Sequence, residues 1–165
     1  MILRVKLANY RFTFSFAHVE KVAGVNSNLS DGNHILMWDF DEKTIWQVIT
    51  ELHNVQLVYN LPKIYILETK DSSNYFAYCF KRTPWRKAVE IIAFTKHVDW
   101  GFIKFGVFRG HFTLRITPKC LRKPNLVKIL PSTTKETVDI SELGNFVEYE
   151  TLSDNETVKA HVLEV

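Results

Sequence analysis

The chain has 165 residues, of which 46% are hydrophobic and 24% charged, and its formal net charge is +3. This size and composition are typical of one globular domain with its own core. Its two cysteines form no CxxC pair and no apolar run reaches the length of a membrane span, so a disulfide framework and a membrane-spanning protein are not indicated. The basic charge is compatible with a nucleic-acid or nucleotide partner but does not require one.

The beginning of the chain, MILRVKLANYRFTFSF, lacks the long apolar core and cleavage site of a signal peptide. We therefore expect a cytoplasmic protein in which Cys79 and Cys120 are reduced thiols. Aromatic residues make up 13% of the chain and favour strands, so we expect a sheet-rich or mixed fold.

In chain order, the first elements are two strands, over residues 10–19 and 34–40, with a loop over 23–33 between them. The second strand is apolar enough to be buried on both faces. A helix follows over 41–55, where apolar residues recur at helical spacing at Ile45, Val48, Ile49, Leu52 and Val55. Asp41 is its predicted N-cap.

The middle of the chain predicts a hairpin and a second helix. Residues 62–70 and 75–82 read as strands joined by the turn DSSN at 71–74. The helix is predicted over 83–98, with Thr83 as its cap and Pro84 in its first turn.

Residues 101–119 look like two short strands around Arg109 and Gly110. The segment 120–165 predicts one short strand and then a terminal hairpin, formed by NFVEYETL and VKAHVLEV around SDNE. The predicted fold is a single α+β domain with the order β-β-α-β-β-α-β-β plus C-terminal strands.

Asp39 and Asp41 close the apolar run HILMWDFD, where two like charges are unexpected. Residues at i and i+2 of a strand point to the same face, so these carboxylates would repel each other. A divalent cation removes the repulsion, and Mg²⁺ is usually held by one or two carboxylates plus substrate phosphates. The alternative is a strand that ends in water, with Asp41 acting only as the helix cap.

A third carboxylate, Asp99, lies in KHVDWGF after the second helix, at the kind of element edge where sites are often built. The alternative is an ordinary loop aspartate. Glu68 ends a strand and is a further candidate for the site, or else forms a surface pair with Lys70.

Basic residues cluster after Asp99, at Lys104, Arg109, His111, Arg115 and Lys119. Alternate positions of HFTLRITPK place polar residues on one strand face, namely His111, Thr113, Arg115 and Thr117. Such a face suits binding of a triphosphate or a nucleic-acid backbone, because arginine binds phosphate in a bidentate manner. The alternative is the solvated face of a half-buried strand.

Other common sites are not indicated by the sequence. The six histidines show no HxH, HExxH or Cys/His ligand spacing, so a zinc site is not expected. The chain also lacks a P-loop, a GxGxxG motif and a nucleophile elbow.

Taken in order, WDFD, LPKIYILETKDSSNYFAYCF, VDWGF and TLRITPK resemble the archaeo-eukaryotic primase superfamily, especially its small RepB-type plasmid and phage replication primases. The resemblance covers about residues 34–119, which would form an RRM-like core, with 120–165 as an extension. It implies a mixed or antiparallel sheet that carries the metal site, with helices packed on one side.

The resemblance also implies a function. Asp39, Asp41 and Asp99 would be the catalytic metal ligands for Mg²⁺ or Mn²⁺. Arg115 and Lys119, with His111 and Arg109, would bind nucleotide or template phosphates. The implied activity is primer synthesis on single-stranded DNA from nucleoside triphosphates in plasmid, phage or mobile-element replication, with a helicase or another replication protein as a further partner and no membrane.

One position departs from the family pattern. Phe76 or Ala77 stands where the family places a histidine that contacts the incoming nucleotide. Two alternatives therefore stay open: a catalytically inactive member that binds single-stranded nucleic acid or a replication partner, and a protein–protein adaptor on an unrelated α+β fold.

Overall fold

A computed structural model describes residues 2–15, 19–152 and 160–164. It confirms an α+β protein. The helices are α1 (Ile45–Val58), α2 (Trp85–Phe94) and α3 (Trp100–Arg109). The strands are β1 (Ile2–Leu7), β2 (Tyr10–Ser15), β3 (Val19–Asn26), β4 (Asn33–Phe40), β5 (Ile64–Lys70), β6 (Asn74–Pro84), β7 (Thr113–Arg115), β8 (Asn125–Leu130), β9 (Phe146–Leu152) and β10 (Ala160–Glu164). None of the helices in these ranges has the length and apolarity needed to cross a membrane.

The strands form three sheets. The largest is antiparallel, with the order β4-β6-β5-β8. A second antiparallel sheet has the order β7-β3-β9, and the third has the order β10-β1-β2, in which β1 pairs with β10 in parallel. Each sheet therefore joins segments that are far apart in sequence.

Strand β4 lies at the centre of the core, as its apolar sequence predicts. Residues 35–38 and Phe40 are buried, and α2 packs against β4 and β6. The indole Nε1 of Trp38 donates to Oγ1 of Thr95, just after α2, at 2.9 Å. Because successive side chains of a strand point to opposite faces, Asp39 points away from α2.

Helix α1 begins at Ile45, and the predicted cap at Asp41 is wrong. Thr44 is the N-cap: its Oγ1 accepts from the backbone N–H of Gln47, and its own N–H donates to Oε1 of Gln47 at 2.9 Å. This reciprocal capping box satisfies two backbone donors. Asp41 is therefore not required for the helix.

Helix α2 is shorter than predicted, because it begins at Trp85 and ends at Phe94. Thr83 belongs to β6, and its hydroxyl donates to the carbonyl of Lys81 at 2.9 Å instead of capping the helix. Beyond Phe94, Thr95 is extended and its hydroxyl donates to the carbonyl of Ile91 at 2.9 Å.

The prediction of a strand before Arg109 is wrong, since residues 100–109 form α3. Asp99 caps this helix by accepting from the N–H of Phe102 at 2.6 Å. Gly110 ends it in the left-handed conformation, with φ of 78°, which favours glycine. At Gly106 the helix packs so closely on Phe112 that a Cβ would collide with the ring.

The C-terminal segment does not form the predicted hairpin. The predicted short strand is β8, which pairs with β5, whereas β9 pairs with β3 and β10 pairs with β1. The turn sequence SDNE lies outside the described residues, as do residues 16–18 of the predicted strand 10–19. The predicted loop 23–33 is strand up to Asn26, because β3 pairs with β7 and β9 there.

Candidate metal and phosphate site

Four of the predicted site residues line one pocket of about 230 Å³, namely Asp39, Asp41, Arg115 and Lys119. Asp39 comes from β4, where it faces Phe76 of β6 in register, and Arg115 comes from β7, which pairs with β3. The pocket therefore lies between the four-stranded sheet and the β7-β3-β9 sheet. It brings together two carboxylates and two cations from segments about 75 residues apart.

Asp39 is a half-buried carboxylate of this pocket. In the part of the chain that the structure describes, its Oδ1 is buried and has no hydrogen-bond partner. The pKa of Asp39 is raised well above its ordinary value, first by burial and then by the charges of Asp41 and Asp99. Arg115 and Lys119 lower it only in part. The pocket therefore favours a further positive charge next to Asp39.

Asp41 is held by the β5–β6 hairpin. The side-chain amide of Asn74 donates to its Oδ1, and Asn74 in turn accepts from the hydroxyl of Ser73 at 2.9 Å. Desolvation and the charge of Asp99 raise the pKa of Asp41, and the Asn74 hydrogen bond opposes this shift. Asp41 is thus positioned as a site residue and not as a helix cap.

Asp99 lies on the other side of Asp39. Its N–H donates to the carbonyl of Asp39 at 2.8 Å, and both residues line a second pocket of about 250 Å³ together with Arg109 and Thr113. Within the described residues, no group of three or more His, Cys, Asp or Glu side chains is placed to hold a metal ion. A cation in the first pocket would take Asp39 and Asp41 from the protein and its other oxygens from substrate and water, which is common for Mg²⁺.

Arg115 is buried and its guanidinium is held in place. Its Nη1 donates to the carbonyls of Thr117 and Arg122, the latter at 3.1 Å, and its Cζ lies 6.0 Å from the centre of the Phe76 ring. Lys119 is half-buried, and its backbone exchanges two hydrogen bonds with Arg122. The turn from 117 to 122 thus fixes the cationic wall of the pocket.

Arg109 and His111 do not line this first pocket. Arg109 is on α3, at the second pocket, with its Cζ 5.7 Å from the Phe105 ring centre. His111 lies near His34, whose pKa is lowered by burial and by the charge of His111. The polar strand face from 111 to 117 is shorter than predicted, because β7 contains only residues 113–115 and His111 and Thr117 lie outside it.

Several lining residues were not identified from the sequence: Thr69, Lys70, Asn74, Tyr149 and Thr151. Asn74 was read only as part of the turn DSSN. Tyr149 and Thr151 come from β9, whose pairing with β3 has no local signal. Glu68, by contrast, accepts from the N–H of Ser72 at 2.9 Å and so helps to form the hairpin turn.

The structure also distinguishes the two positions considered for the family's histidine. Phe76 lines the pocket opposite Asp39, whereas Ala77 pairs with Trp38, one residue along on each strand. Of the two residues, Phe76 is thus the one that lines the pocket. Its buried ring contacts Arg115 and offers no hydrogen bond.

The fold and the pocket define an α+β protein with paired carboxylates facing fixed cations. Comparison with protein-family models, with curated proteins and with solved structures found no match to the chain. A function for this site therefore has to be inferred from its own geometry and charge.

Proposed function

We propose that the chain is a small primase-like nucleotidyltransferase that makes primers on single-stranded DNA. The observation that carries this proposal is the pocket in which Asp39 and Asp41 face Arg115 and Lys119, with one buried oxygen of Asp39 unpartnered within the described residues. Such a pocket suits a substrate that brings both a divalent cation and negative phosphates.

The strand and helix order supports the proposal. The succession β4-α1-β5-β6-α2, with β6 paired between β4 and β5, is compatible with a β-α-β-β-α-β core. In such an RRM-like core the first strand would carry the carboxylates, as β4 does here. Strand β7 would be the fourth strand of that core, but it pairs with β3 in the other sheet. The agreement with the RRM-like order therefore extends from β4 to α2.

The donors fit Mg²⁺ or Mn²⁺, because both proposed protein ligands are carboxylates. Burial and the charges of Asp41 and Asp99 raise the pKa of Asp39, and a bound cation would offset that shift. When bound, the ion would supply the charge that activates the attacking oxygen and stabilises the leaving one. Asp39 and Asp41 would hold it, while Arg115 and Lys119 would bind the triphosphate. Asp99 would fix the backbone of Asp39 through its own N–H.

In the proposed reaction, the 3′-hydroxyl oxygen of one nucleotide attacks the α-phosphorus of a nucleoside triphosphate. A new O–P bond forms, the bond from the α-phosphorus to the bridging oxygen breaks, and pyrophosphate leaves with that electron pair. The hydroxyl proton passes to solvent. Arg115 and Lys119 would stabilise the negative charge that collects on the leaving phosphates.

The test is primer synthesis on single-stranded DNA with Mn²⁺ and labelled nucleoside triphosphates. We expect Asp39→Asn and Asp41→Asn each to lower product formation by about 100-fold or more. Glu90→Gln is a matched control, because this carboxylate is exposed on α2 and paired with Lys87. Equal product from the wild type and the two pocket variants would refute the proposal.

A second candidate function is supported by Phe76, which offers no hydrogen bond where the family has a histidine. The chain would then bind single-stranded nucleic acid without catalysis. This candidate predicts no primer product, together with metal-independent binding that weakens steeply with salt. Arg115→Ala and Lys119→Ala should weaken that binding, and unchanged affinity in both variants would count against it.

A further inference from the structure

Helix α3 presents an aromatic and cationic face to solvent. Trp100, Phe105 and Phe108 are 72%, 54% and 88% exposed, and Lys104 lies among them. The opposite face of the helix packs on Phe112 through Gly106. The sequence from 100 to 109 contains no acidic residue. A contiguous exposed patch of three large aromatic rings beside cations is typical of a surface that binds a partner.

This face is continuous with the candidate site. Phe105 and Arg109 line the second pocket together with Asp39 and Asp99, and the Arg109 guanidinium lies 5.7 Å from the Phe105 ring centre. A ligand that leaves Asp39 through this pocket would meet Phe105 and Arg109 first. It would then reach Phe108 and Lys104 on the outer side of the helix.

Aromatic rings alternating with cations match one kind of ligand in particular. In single-stranded nucleic acid the bases stack on aromatic side chains while the phosphates bind Lys and Arg. An anionic membrane would also suit aromatic and basic residues. The α3 face is continuous with the carboxylate pocket that we propose to bind nucleotides, and this favours nucleic acid as the ligand. A membrane surface would not extend into that pocket.

We propose that the outward face of α3 is a binding track for single-stranded DNA, which leads the template strand away from Asp39. Bases stack on Phe105 and Phe108, and Lys104 and Arg109 contact phosphates. This inference rests on the proposed function and adds a surface to it, outside the carboxylate pocket.

The experiment measures the binding of a fluorescein-labelled oligothymidine of about 20 nucleotides by fluorescence anisotropy, with EDTA present. We expect Phe105→Ala/Phe108→Ala to weaken binding about 30-fold or more, since the stacking of two bases is lost. Leu57→Ala/Phe94→Ala is the matched control. These residues are 69% and 56% exposed at the ends of α1 and α2, and the change should leave the Kd within about twofold.

A second variant tests the phosphate contacts. Lys104→Gln/Arg109→Gln should lower the slope of log K against log salt by about 1.4, because each phosphate contact on a single strand contributes about 0.7. Circular dichroism verifies that every variant is folded.

Three results would overturn the track: no binding by the wild type, unchanged binding by Phe105→Ala/Phe108→Ala, or wild-type binding only to phosphatidylserine vesicles in a sedimentation assay. The outcome is separable from that of the proposed function. Loss of binding in the α3 variant without any primer synthesis would support the track and refute the nucleotidyltransferase. Primer synthesis with unchanged binding in the α3 variant would do the reverse.

Discussion

The space between the two antiparallel sheets has two ends of opposite chemistry, although the same strands build both. On β5, Thr69 lines the polar pocket, whereas Leu67 and Tyr65 line an apolar groove of about 400 Å³. On β6, Phe76 lies in the pocket, and Phe80 lies in the groove. Residues two apart on a strand share a face, so one face changes character within two positions.

The difference shows that size and apolarity alone would select the groove and not the proposed site. The largest apolar pocket is the usual first candidate for a ligand site, but here the groove contains none of the paired carboxylates. Its contribution is indirect. Tyr78 lines the groove, and its pKa is raised first by burial and further by the charge of Asp39, while Arg115 opposes the shift. An apolar wall beside Asp39 lowers the local dielectric, so a cation there would stabilise the ionised carboxylate more strongly.

The largest expected effect is on stability, at the junction of the two ends. Tyr78 is 8% exposed, so Tyr78→Ala should lower the free energy of unfolding by about 3–5 kcal/mol, the usual cost of removing a large buried ring. Tyr149 is 37% exposed at the polar end, and Tyr149→Ala should cost at most about 1 kcal/mol. Urea denaturation measures both values. Similar losses would mean that the two ends are packed alike.

The next prediction compares the polar pocket with the apolar groove by the effect of a variant in each on primer synthesis. Asp41→Asn should lower primer synthesis by about 100-fold, because one of the two proposed metal ligands is lost. Phe146→Ala, a change at the mouth of the groove, should leave the rate within about threefold. A groove variant that loses as much activity as the pocket variant would show that the substrate occupies both ends.

The third prediction concerns Asp39 without metal. At pH 7 in EDTA, Asp39→Asn should raise the free energy of unfolding by about 1–3 kcal/mol, since a carboxyl group whose ionised form is disfavoured in the folded state is replaced by a neutral amide. The folded-state pKa of Asp39 is raised, so the wild type loses stability as the pH rises from about 4 through that pKa. The gain should therefore vanish near pH 4. The same gain at both pH values, or in the exposed control Asp71→Asn, would contradict this reason.

The smallest expected effect is at Asn74, a positioning residue. Asn74→Ala removes the amide that donates to Asp41 and should lower kcat/KM by about tenfold, roughly 1.4 kcal/mol. The half-saturating Mn²⁺ concentration should rise in parallel, which a merely structural role would not cause. Asp71→Ala in the same turn is the control, and an unchanged Mn²⁺ dependence in Asn74→Ala would exclude the positioning role.

Local sequence was sufficient where local interactions decide the structure. The apolar run of β4 and the turn residues between β5 and β6 led to correct elements, and the i, i+2 spacing placed Asp39 and Asp41 on one edge of the pocket. Helix α3 was missed because its Phe and Val residues favour strands. Its conformation depends on the Asp99 cap and on the close approach of Gly106 to Phe112, which is a tertiary contact.

The remaining part of the site depends on long-range pairing. Tyr149 and Thr151 reach the pocket only because β9 pairs with β3. The register between two strands so far apart cannot be predicted from the residues of either strand alone.

The cap of α1 shows how two neighbouring residues compete for one position. Asp41 and Thr44 are both good cap residues, and the reciprocal bond with Gln47 decides for Thr44.

The pairing of β3 with β9 also fixes when the pocket is completed during synthesis. Asp39 leaves the ribosome 110 residues before Tyr149, which is roughly 5–20 s at ordinary elongation rates. Until β9 is made, β3 lacks one of its two neighbours and the pocket lacks the part of its lining that Tyr149 and Thr151 supply. A chain whose synthesis stops before residue 146 would therefore carry Asp39, Asp41, Arg115 and Lys119 without the strand that encloses them.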